Sequence, residues 1–273
     1  GGACNMRCRH CAQLPIRDEN GKFHVTIVPK VWQMMDNYIQ YALKNHEKQR
    51  HIYFYGGEAL LYWETIKEVV MHFVKKYDIF ANKAFRFGTQ SNGLLLTQDK
   101  VDFLNEFDMS LGFSYDAPYP FAVRGYVSDK ICELVRKVKN YSITPTCSNA
   151  YNYDILLAHR CLQAKFPEAR EIRNTFNLSF SFDMDKDIYS YDWDKVKESI
   201  RKLRIAAQLG DKIALSWFLT HFKNMRTKYE VPTGLRVASC LYNHAEIPIT
   251  VDGKFSGCQN GDFFFGTVDD TLD

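Results

Sequence analysis

The sequence predicts an α/β fold in which crossover helices connect the strands of a parallel sheet. Short β-rich runs alternate with amphipathic helical segments from residue 31 to residue 209, and this alternation is typical of parallel sheets. Polar and glycine-containing motifs follow several of the strands. Ligands of such folds bind beyond the carboxyl ends of the strands, so we expect a ligand site there.

Two segments show how the elements are assigned. Residues 51–57 form a β-rich run that ends at two glycines. Residues 62–77 carry apolar side chains at helical spacing, with two lysines in the last turn. Gly210 is placed to end the last helix. The same reasoning predicts further helices over 31–46, 98–106, 131–138, 152–165 and 192–209, and further strands over 84–88, 109–114, 142–147 and 176–182.

The alternation fades after residue 210. Residues 234–273 are turn-rich and β-like, and Asp252 with Gly253 predicts a hairpin turn between short strands over 247–251 and 254–256. The predicted organisation is therefore a core over 1–210, a bridging helical segment over 211–233 and a β-rich module from residue 234.

Composition excludes several classes of protein. A hydrophobic content of 46% and a charged content of 25% are typical of a globular chain and exclude general disorder. The net charge of +3 is scattered, so we expect no nucleic-acid partner. No apolar run approaches the roughly 18 residues of a membrane span, so we expect no membrane partner. Eight cysteines in 273 residues are too few for a disulfide scaffold and indicate a reducing, cytoplasmic compartment.

The sharpest motif is a cluster of three cysteines near the start of the chain. Cys4, Cys8 and Cys11 follow a C-x3-C-x2-C pattern, and three thiolates on one loop can hold three corners of a soft metal centre. An iron–sulfur cluster, a zinc ion that also uses His10, and unliganded thiols remain the alternatives. A structural zinc site prefers four protein ligands, which favours the 4Fe–4S cluster, since that cluster would keep one iron open.

This loop resembles the cluster-binding signature of the radical S-adenosylmethionine (radical SAM) superfamily. The resemblance implies that Cys4, Cys8 and Cys11 bind a 4Fe–4S cluster whose open iron takes the amino and carboxylate groups of S-adenosyl-L-methionine. His10 occupies the position where the family usually has an aromatic residue near the adenine. An imidazole can also stack there, so His10 is a candidate cofactor-binding residue.

Segment 55–58, Tyr-Gly-Gly-Glu, resembles the family's GGE motif, which follows the second strand and receives the methionine amino group. Glycines let a backbone approach a ligand closely, and a nearby carboxylate suits an ammonium group. The resemblance makes Gly56, Gly57 and Glu58 candidate cofactor-binding residues. A simple turn at the end of a strand is the alternative.

Two further segments resemble strand ends of the family's peptide-maturase branch. They are 90–93, Gln-Ser-Asn-Gly, and 114–117, Ser-Tyr-Asp-Ala; in the second, a tyrosine and an alanine depart from the family pattern. The resemblance implies that the polar side chains bind the carboxylate and ribose of the cofactor. Turn capping is the alternative for the asparagine and the serine, and helix capping or substrate contact for the aspartate. The candidate residues are Gln90, Asn92, Ser114 and Asp116.

The C-terminal module carries a second resemblance. Cys240, Gly253 and Cys258 resemble the opening of a SPASM or twitch domain, which holds auxiliary iron–sulfur clusters, and 265–268 resembles the segment that follows. Two thiolates do not complete a cluster, so either further ligands are absent from this chain or the auxiliary site is incomplete. The family's first strand precedes the cysteine loop, and only three residues do so here, so we expect a chain cut at both ends. Buried thiols are the alternative for Cys240 and Cys258, and they are the main interpretation of Cys132 and Cys161, which lie on predicted helices.

The resemblance as a whole implies a partial (β/α)6 TIM-like barrel with a C-terminal β-rich SPASM/twitch-like module. The implied function is reductive cleavage of S-adenosylmethionine to a 5′-deoxyadenosyl radical that modifies a peptide or protein substrate. Anaerobic sulfatase maturation is the alternative within this class. A flavodoxin or ferredoxin type of protein is the implied electron donor. A zinc-binding interaction protein is the rival from another class.

Overall fold

The structure is a computed structural model that describes residues 3–9, 11, 26–45, 50–77, 85–118, 124–146, 154–172, 192–219, 249–250, 252–256 and 264–267. Its centre is a four-stranded sheet in the order β1-β2-β3-β4, with every neighbouring pair parallel. The strands are β1 (Arg50–Phe54), β2 (Phe85–Ser91), β3 (Ser110–Phe113) and β4 (Tyr141–Ile143). A parallel bridge from Ile143 to Ile172 continues the sheet beyond β4. The prediction of a parallel α/β fold is confirmed.

Helices connect the strands in the predicted order. A 3-10 turn, Ala59–Tyr62, precedes the second helix, and residues 212–219 form a further short helix after the last one. The named helices are α1 (Pro29–Asn45), α2 (Trp63–Lys76), α3 (Gln98–Glu106), α4 (Asp129–Arg136), α5 (Ile155–Lys165) and α6 (Trp193–Gln208). Each overlaps a predicted helix. Gly210 follows α6 with φ 89, a left-handed conformation that favours glycine at the end of a helix.

The hydrophobic core lies between one face of the sheet and the surrounding helices. Alternate strand residues point into it and are almost fully buried: Phe85, Phe87, Leu111, Phe113 and Ile143. The alternation arises because successive strand side chains point to opposite faces. The opposite face carries Tyr53, Gly88, Gln90, Ser110 and Gly112, a polar and glycine-rich set, and we call it the inner face.

β2 and β4 end at residues other than the predicted ones. β2 continues to Ser91, three residues beyond the predicted end at residue 88. The extension contains buried polar residues, and these are accommodated because Thr89 donates to Phe54 O at 3.3 Å and Ser91 donates to Glu58 at 2.8 Å. β4 ends at Ile143; the Thr146 backbone N–H donates to the Asp116 side chain instead.

The C-terminal region is described only in part. Strands β5 (Lys254–Ser256) and β6 (Phe264–Thr267) pair antiparallel. Before β5, Gly253 has φ 85, and its N–H donates to Thr250 O at 3.0 Å, which forms the predicted turn. The predicted strand 176–182 lies outside the described residues. Among the described helices, none is long and apolar enough to cross a membrane.

Candidate functional site

The cysteine loop is anchored where β1 ends. The backbone N–H of Glu58 donates to Ala3 O at 2.8 Å, and the Ala3 N–H donates to the Tyr62 hydroxyl at 3.3 Å. Met6 is 6% exposed and packs its methyl group near Gly125. These contacts hold the loop against the carboxyl ends of the strands, where the α/β fold is expected to bind ligands.

The three thiols of the loop differ in burial. Cys8 is buried, whereas Cys4 and Cys11 are partly exposed. A turn closes between two of them, because the Cys11 N–H donates to Cys8 O at 3.0 Å. Burial raises the pKa of the Cys8 thiol to about 11, although the charge of Arg124 acts in the opposite direction. His10 lies outside the described residues.

The loop fits an iron–sulfur cluster by its donor set and by its surroundings. Three soft sulfur donors lie close enough for Cys4 and Cys11 to affect the pKa of Cys8. Among the described residues, no group of three or more His, Cys, Asp or Glu side chains is arranged around a single metal ion. A cubane cluster does not require such convergence, since each thiolate binds a different iron.

Glu58 is a buried carboxylate beside this loop that links two chain segments. Its side chain accepts hydrogen bonds from Ser91 Oγ at 2.8 Å, Asn92 N at 2.7 Å and Leu60 N at 3.0 Å. Both carboxylate oxygens are therefore used by protein donors, so the side chain fastens the segment after β1 to the end of β2. Burial raises the Glu58 pKa, and the three hydrogen bonds oppose that shift.

The glycines beside Glu58 present backbone to the site. Gly56 has φ 156, a conformation that residues with a Cβ rarely adopt. Gly56 and Gly57 are both partly exposed, whereas Glu58 is 1% exposed. An incoming ligand would therefore meet the backbone of the two glycines rather than the Glu58 carboxylate.

Asn92 joins the end of β2 to the cysteine loop. Its amide nitrogen donates to Asn5 Oδ1 at 2.8 Å and lies 3.9 Å from Cys4 Sγ. Its amide oxygen accepts from Leu94 N at 3.0 Å. The Asn92 side chain thus caps a turn and contacts the cysteine loop at the same time.

Gln90 and Ser114 meet on the inner face, where Gln90 Nε2 donates to Ser114 Oγ at 2.7 Å. The Ser114 backbone N–H donates to Ser91 O at 2.9 Å, which continues the pairing of β2 with β3. Tyr53 Oη donates to Gln90 Oε1 at 3.3 Å. A chain of hydrogen bonds therefore crosses three strands at their carboxyl ends.

Asp116 is the centre of a buried ionic cluster that sequence reasoning missed. Its side chain is 0% exposed and accepts from Arg124 Nε at 3.0 Å, Arg124 Nη2 at 3.3 Å and Thr146 N at 2.7 Å. Arg124 also donates to Thr146 Oγ1 at 3.2 Å. The capping interpretation of Asp116 is therefore incomplete, since its main partner is a guanidinium eight residues later.

Arg124 connects this ionic cluster to the cysteine loop. Burial alone would lower its pKa, but the charges of Asp116 and Cys8 raise it above the usual arginine value. Its side chain is 9% exposed. A fixed positive charge thus lies beside the thiols, where it would partly balance the negative charge of a thiolate-bound cluster. The sequence offers one indirect signal for the role of Arg124: a carboxylate that becomes buried needs a nearby cation.

Among the described residues, Cys132 and Cys161 are not part of this site. Cys132 is 0% exposed on α4 and Cys161 is partly exposed on α5, which confirms the buried-thiol interpretation for Cys132. Cys240 and Cys258 lie outside the described residues. Residues 265–267 lie on β6, and nothing in the described region relates them to the cysteine loop.

A parallel α/β sheet with a three-thiol loop fastened to its strand ends defines a cofactor-binding protein of the iron–sulfur class. The family model described as "Radical SAM superfamily" matches residues 1–155 of the chain. The chain belongs to the radical SAM superfamily, whose cofactors are a 4Fe–4S cluster and S-adenosylmethionine.

Two curated proteins are similar in sequence. The radical SAM cyclopropyl synthase TigE of Paramaledivibacter caminithermalis is 19% identical over 280 residues, which cover 98% of this chain and 57% of that protein. The serine-type anaerobic sulfatase-maturating enzyme of Bacteroides thetaiotaomicron is 29% identical over 126 residues, 44% of this chain and 28% of that enzyme. The chain therefore spans just over half of the first relative and about a quarter of the second.

Solved structures share the fold. Native anSMEcpe with bound AdoMet matches with a TM-score of 0.68 at 16% identity, covering 100% of this chain and 77% of that one. Native anSMEcpe with bound AdoMet and Kp18Cys peptide matches with a TM-score of 0.67 at 17% identity, covering 100% and 76%. The predicted fold class is thereby confirmed for the α/β core, whereas the SPASM/twitch-like module stays a prediction.

Proposed function

We propose that this protein reductively cleaves S-adenosylmethionine and uses the product to modify a peptide or protein. The strongest support is that hydrogen bonds join three motifs at one place. The Glu58 N–H donates to Ala3 at the start of the cysteine loop, and the Glu58 carboxylate accepts from Asn92 N at the end of β2. The Asn92 side chain in turn donates to Asn5 in the cysteine loop. When bound, the cluster and its cofactor supply a 5′-deoxyadenosyl radical that can abstract hydrogen.

The residues of this chain bind and orient the cofactors. Cys4, Cys8 and Cys11 would hold the cluster through their thiolates. The exposed backbone of Gly56 and Gly57 would receive the methionine amino group, with Glu58 as a positioning residue beneath them. His10 would lie against the adenine.

The strand ends would supply the remaining contacts. Gln90, Asn92 and Ser114 offer amide and hydroxyl groups to the ribose and the carboxylate. Asp116 fixes Arg124, whose charge lies beside the cysteine loop. Breaking this buried ion pair would be costly, because either partner alone would be an uncompensated buried charge.

A peptide or protein substrate is supported by the relatives. One similar protein is named a radical SAM cyclopropyl synthase and the other a sulfatase-maturating enzyme, and one solved structure of the same fold is named with a bound peptide. Ribosomal-peptide maturation is our first choice, and anaerobic sulfatase maturation is the alternative. We further propose a flavodoxin or ferredoxin type of electron donor and a cytoplasmic location.

We also propose a domain organisation that includes the C-terminal region. We propose a core over 1–210, a bridging segment over 211–233 and the start of a SPASM/twitch-like module over 234–273, in which Cys240 and Cys258 are two ligands of an auxiliary cluster. In the full-length protein, Cys240→Ala should lower iron per chain and leave cleavage of S-adenosylmethionine intact. Equal iron in both proteins would favour buried thiols.

The decisive experiment tests the three cysteines together. The full-length protein is reconstituted anaerobically with iron and sulfide, and 5′-deoxyadenosine is measured under dithionite. Changing Cys4, Cys8 or Cys11 to Ala should abolish both the visible absorption of the cluster and the product, whereas Cys132→Ala, a matched buried cysteine, should retain both. A parent that binds zinc but no iron, or that binds iron without cleaving S-adenosylmethionine, would contradict the proposal.

A further inference from the structure

Tyr53 lies across the inner face and contacts two neighbouring strands. A Cβ built on Gly88 would lie 2.6 Å from Tyr53 Cδ2, and one built on Gly112 would lie under 3.0 Å from Tyr53 Oη and Gln90 Oε1. Real Cβ atoms essentially never approach so closely. The two glycines therefore create the space in which the Tyr53 ring and the Gln90 amide lie.

The hydrogen bonds within this space have a defined direction. Tyr53 Oη donates to Gln90 Oε1, and Gln90 Nε2 donates to Ser114 Oγ. A phenol is a better hydrogen-bond donor than acceptor. The Tyr53 hydroxyl therefore favours the orientation of the Gln90 amide in which the amide oxygen faces that hydroxyl. The NH2 group of Gln90 then faces Ser114.

This direction decides what Ser114 can offer a ligand. Its hydroxyl accepts from Gln90, and no acceptor for its own proton is found among the residues that the structure describes. If the Gln90 amide turned over, its oxygen would face Ser114 and take that proton. Ser114 would then be an acceptor only toward the site.

We propose that Tyr53 is a positioning residue that acts through the Gln90 amide to keep Ser114 a hydrogen-bond donor toward an oxygen of S-adenosylmethionine. The inference rests on the proposed function, since it assumes that this cofactor binds at the strand ends. Tyr53 is 39% exposed and belongs to none of the motifs that indicated the site.

The test is the affinity of the full-length, cluster-loaded enzyme for S-adenosylmethionine, measured by anaerobic calorimetry. Tyr53→Phe keeps the ring and removes the hydroxyl, and it should weaken binding about threefold to tenfold, the effect of one neutral hydrogen bond. Tyr41→Phe, on the outside of α1 at 52% exposure, is the control and should bind as the parent does.

A double-mutant cycle separates positioning from direct contact. If Tyr53 acts through Ser114, Tyr53→Phe should have no further effect in a Ser114→Ala background. Gln90→Met removes the amide oxygen that could take the Ser114 proton, so Tyr53→Phe should also have no further effect in a Gln90→Met background. The same comparison with decarboxylated S-adenosylmethionine identifies the oxygen that Ser114 binds. If Tyr53→Phe no longer weakens binding, that oxygen belongs to the carboxylate; if it still does, the oxygen belongs to the ribose. Both results support the proposal.

Two results would overturn the inference while the proposed function stands. One is a Tyr53→Phe enzyme that binds S-adenosylmethionine as tightly as the parent. The other is a Tyr53→Phe effect of equal size with and without Ser114, which would mean that Tyr53 touches the ligand itself. A cluster-loaded parent that does not bind S-adenosylmethionine would overturn both the proposed function and this inference.

Discussion

Two buried carboxylates at the strand ends are held in different ways. Glu58 accepts from one hydroxyl and two backbone N–H groups, none of which carries a charge. Asp116 accepts from one backbone N–H and from the Arg124 guanidinium. Each fastens chain segments that are distant in sequence, yet only Asp116 does so through an ion pair.

Because their partners differ, the two carboxylates should respond differently when a partner is removed by mutation. Burial of Glu58 without a cation raises its pKa, so its charged form is retained only against a desolvation penalty. Asp116 has a cation in contact, which offsets part of its desolvation penalty as long as both partners remain. Removing a partner should therefore cost more at Asp116 than at Glu58.

The largest expected effect is that of Asp116→Ala. The change would leave Arg124 buried at 9% exposure without its carboxylate, and it should lower the free energy of unfolding by about 3 kcal/mol. This is the lower end of the usual range because the Cys8 and Cys11 thiols also favour the charged guanidinium. Urea unfolding of the cluster-loaded enzyme under anaerobic conditions measures the change.

The control for Asp116 is Asp194→Ala, which breaks an exposed pair with Lys197 whose side chains are 92% and 75% exposed. That loss should be within about 0.5 kcal/mol. If Asp116→Ala does not fold, Asp116→Asn provides the second variant, because it keeps the shape and removes the charge. Equal costs for the buried and the exposed aspartate would contradict the role of the ion pair.

The next effect is that of Glu58→Gln. The new amide NH2 group replaces one carboxylate oxygen of Glu58 and cannot accept a hydrogen bond. One buried donor therefore loses its acceptor, which should lower the free energy of unfolding by about 1–3 kcal/mol. Glu64→Gln, an exposed carboxylate on α2 at 72%, is the matched control and should change little. A Glu58 variant as stable as the Glu64 variant would mean that the hydrogen bonds to Glu58 do not fasten the strand ends.

Glu58 should also make stability depend on pH. Its folded-state pKa lies above the usual value of 4.5 because of burial, so the folded chain binds this proton more tightly than the unfolded chain. The resulting stability is fully present below the unfolded-state pKa and is lost as pH rises through the folded-state pKa. Unfolding at several pH values above 4.5 should show this fall in the parent and a smaller one in Glu58→Gln. An identical slope in both proteins would exclude Glu58 as its source.

The same contrast explains what the sequence could predict. The cysteine spacing, the strand–helix alternation and the glycines after β1 are local patterns, and each indicated its element before any contact was known. The partners of the two carboxylates are not local. Arg124 lies in an irregular segment with no periodicity, and Tyr53 lies on a strand whose inner face is defined only once its neighbours pair. Ser91 lies beyond the predicted strand end at residue 88 and is instead a buried strand residue that bonds Glu58.

The smallest effects concern the hydroxyl beside each carboxylate. Ser91 Oγ donates to Glu58 at 2.8 Å and accepts from Gly93 N at 2.9 Å. Ser91→Ala therefore leaves the buried Gly93 N–H without this acceptor and Glu58 Oε1 with Leu60 N as its remaining donor, which should cost about 1–2 kcal/mol. Thr146 Oγ1 accepts from Arg124 at 3.2 Å, and Arg124 keeps both Asp116 oxygens when Thr146 becomes valine. Thr146→Val should therefore cost less than about 1 kcal/mol in the same unfolding measurement. A larger loss for Thr146→Val than for Ser91→Ala would show that the guanidinium depends on this hydroxyl, and that Asp116 alone does not hold it.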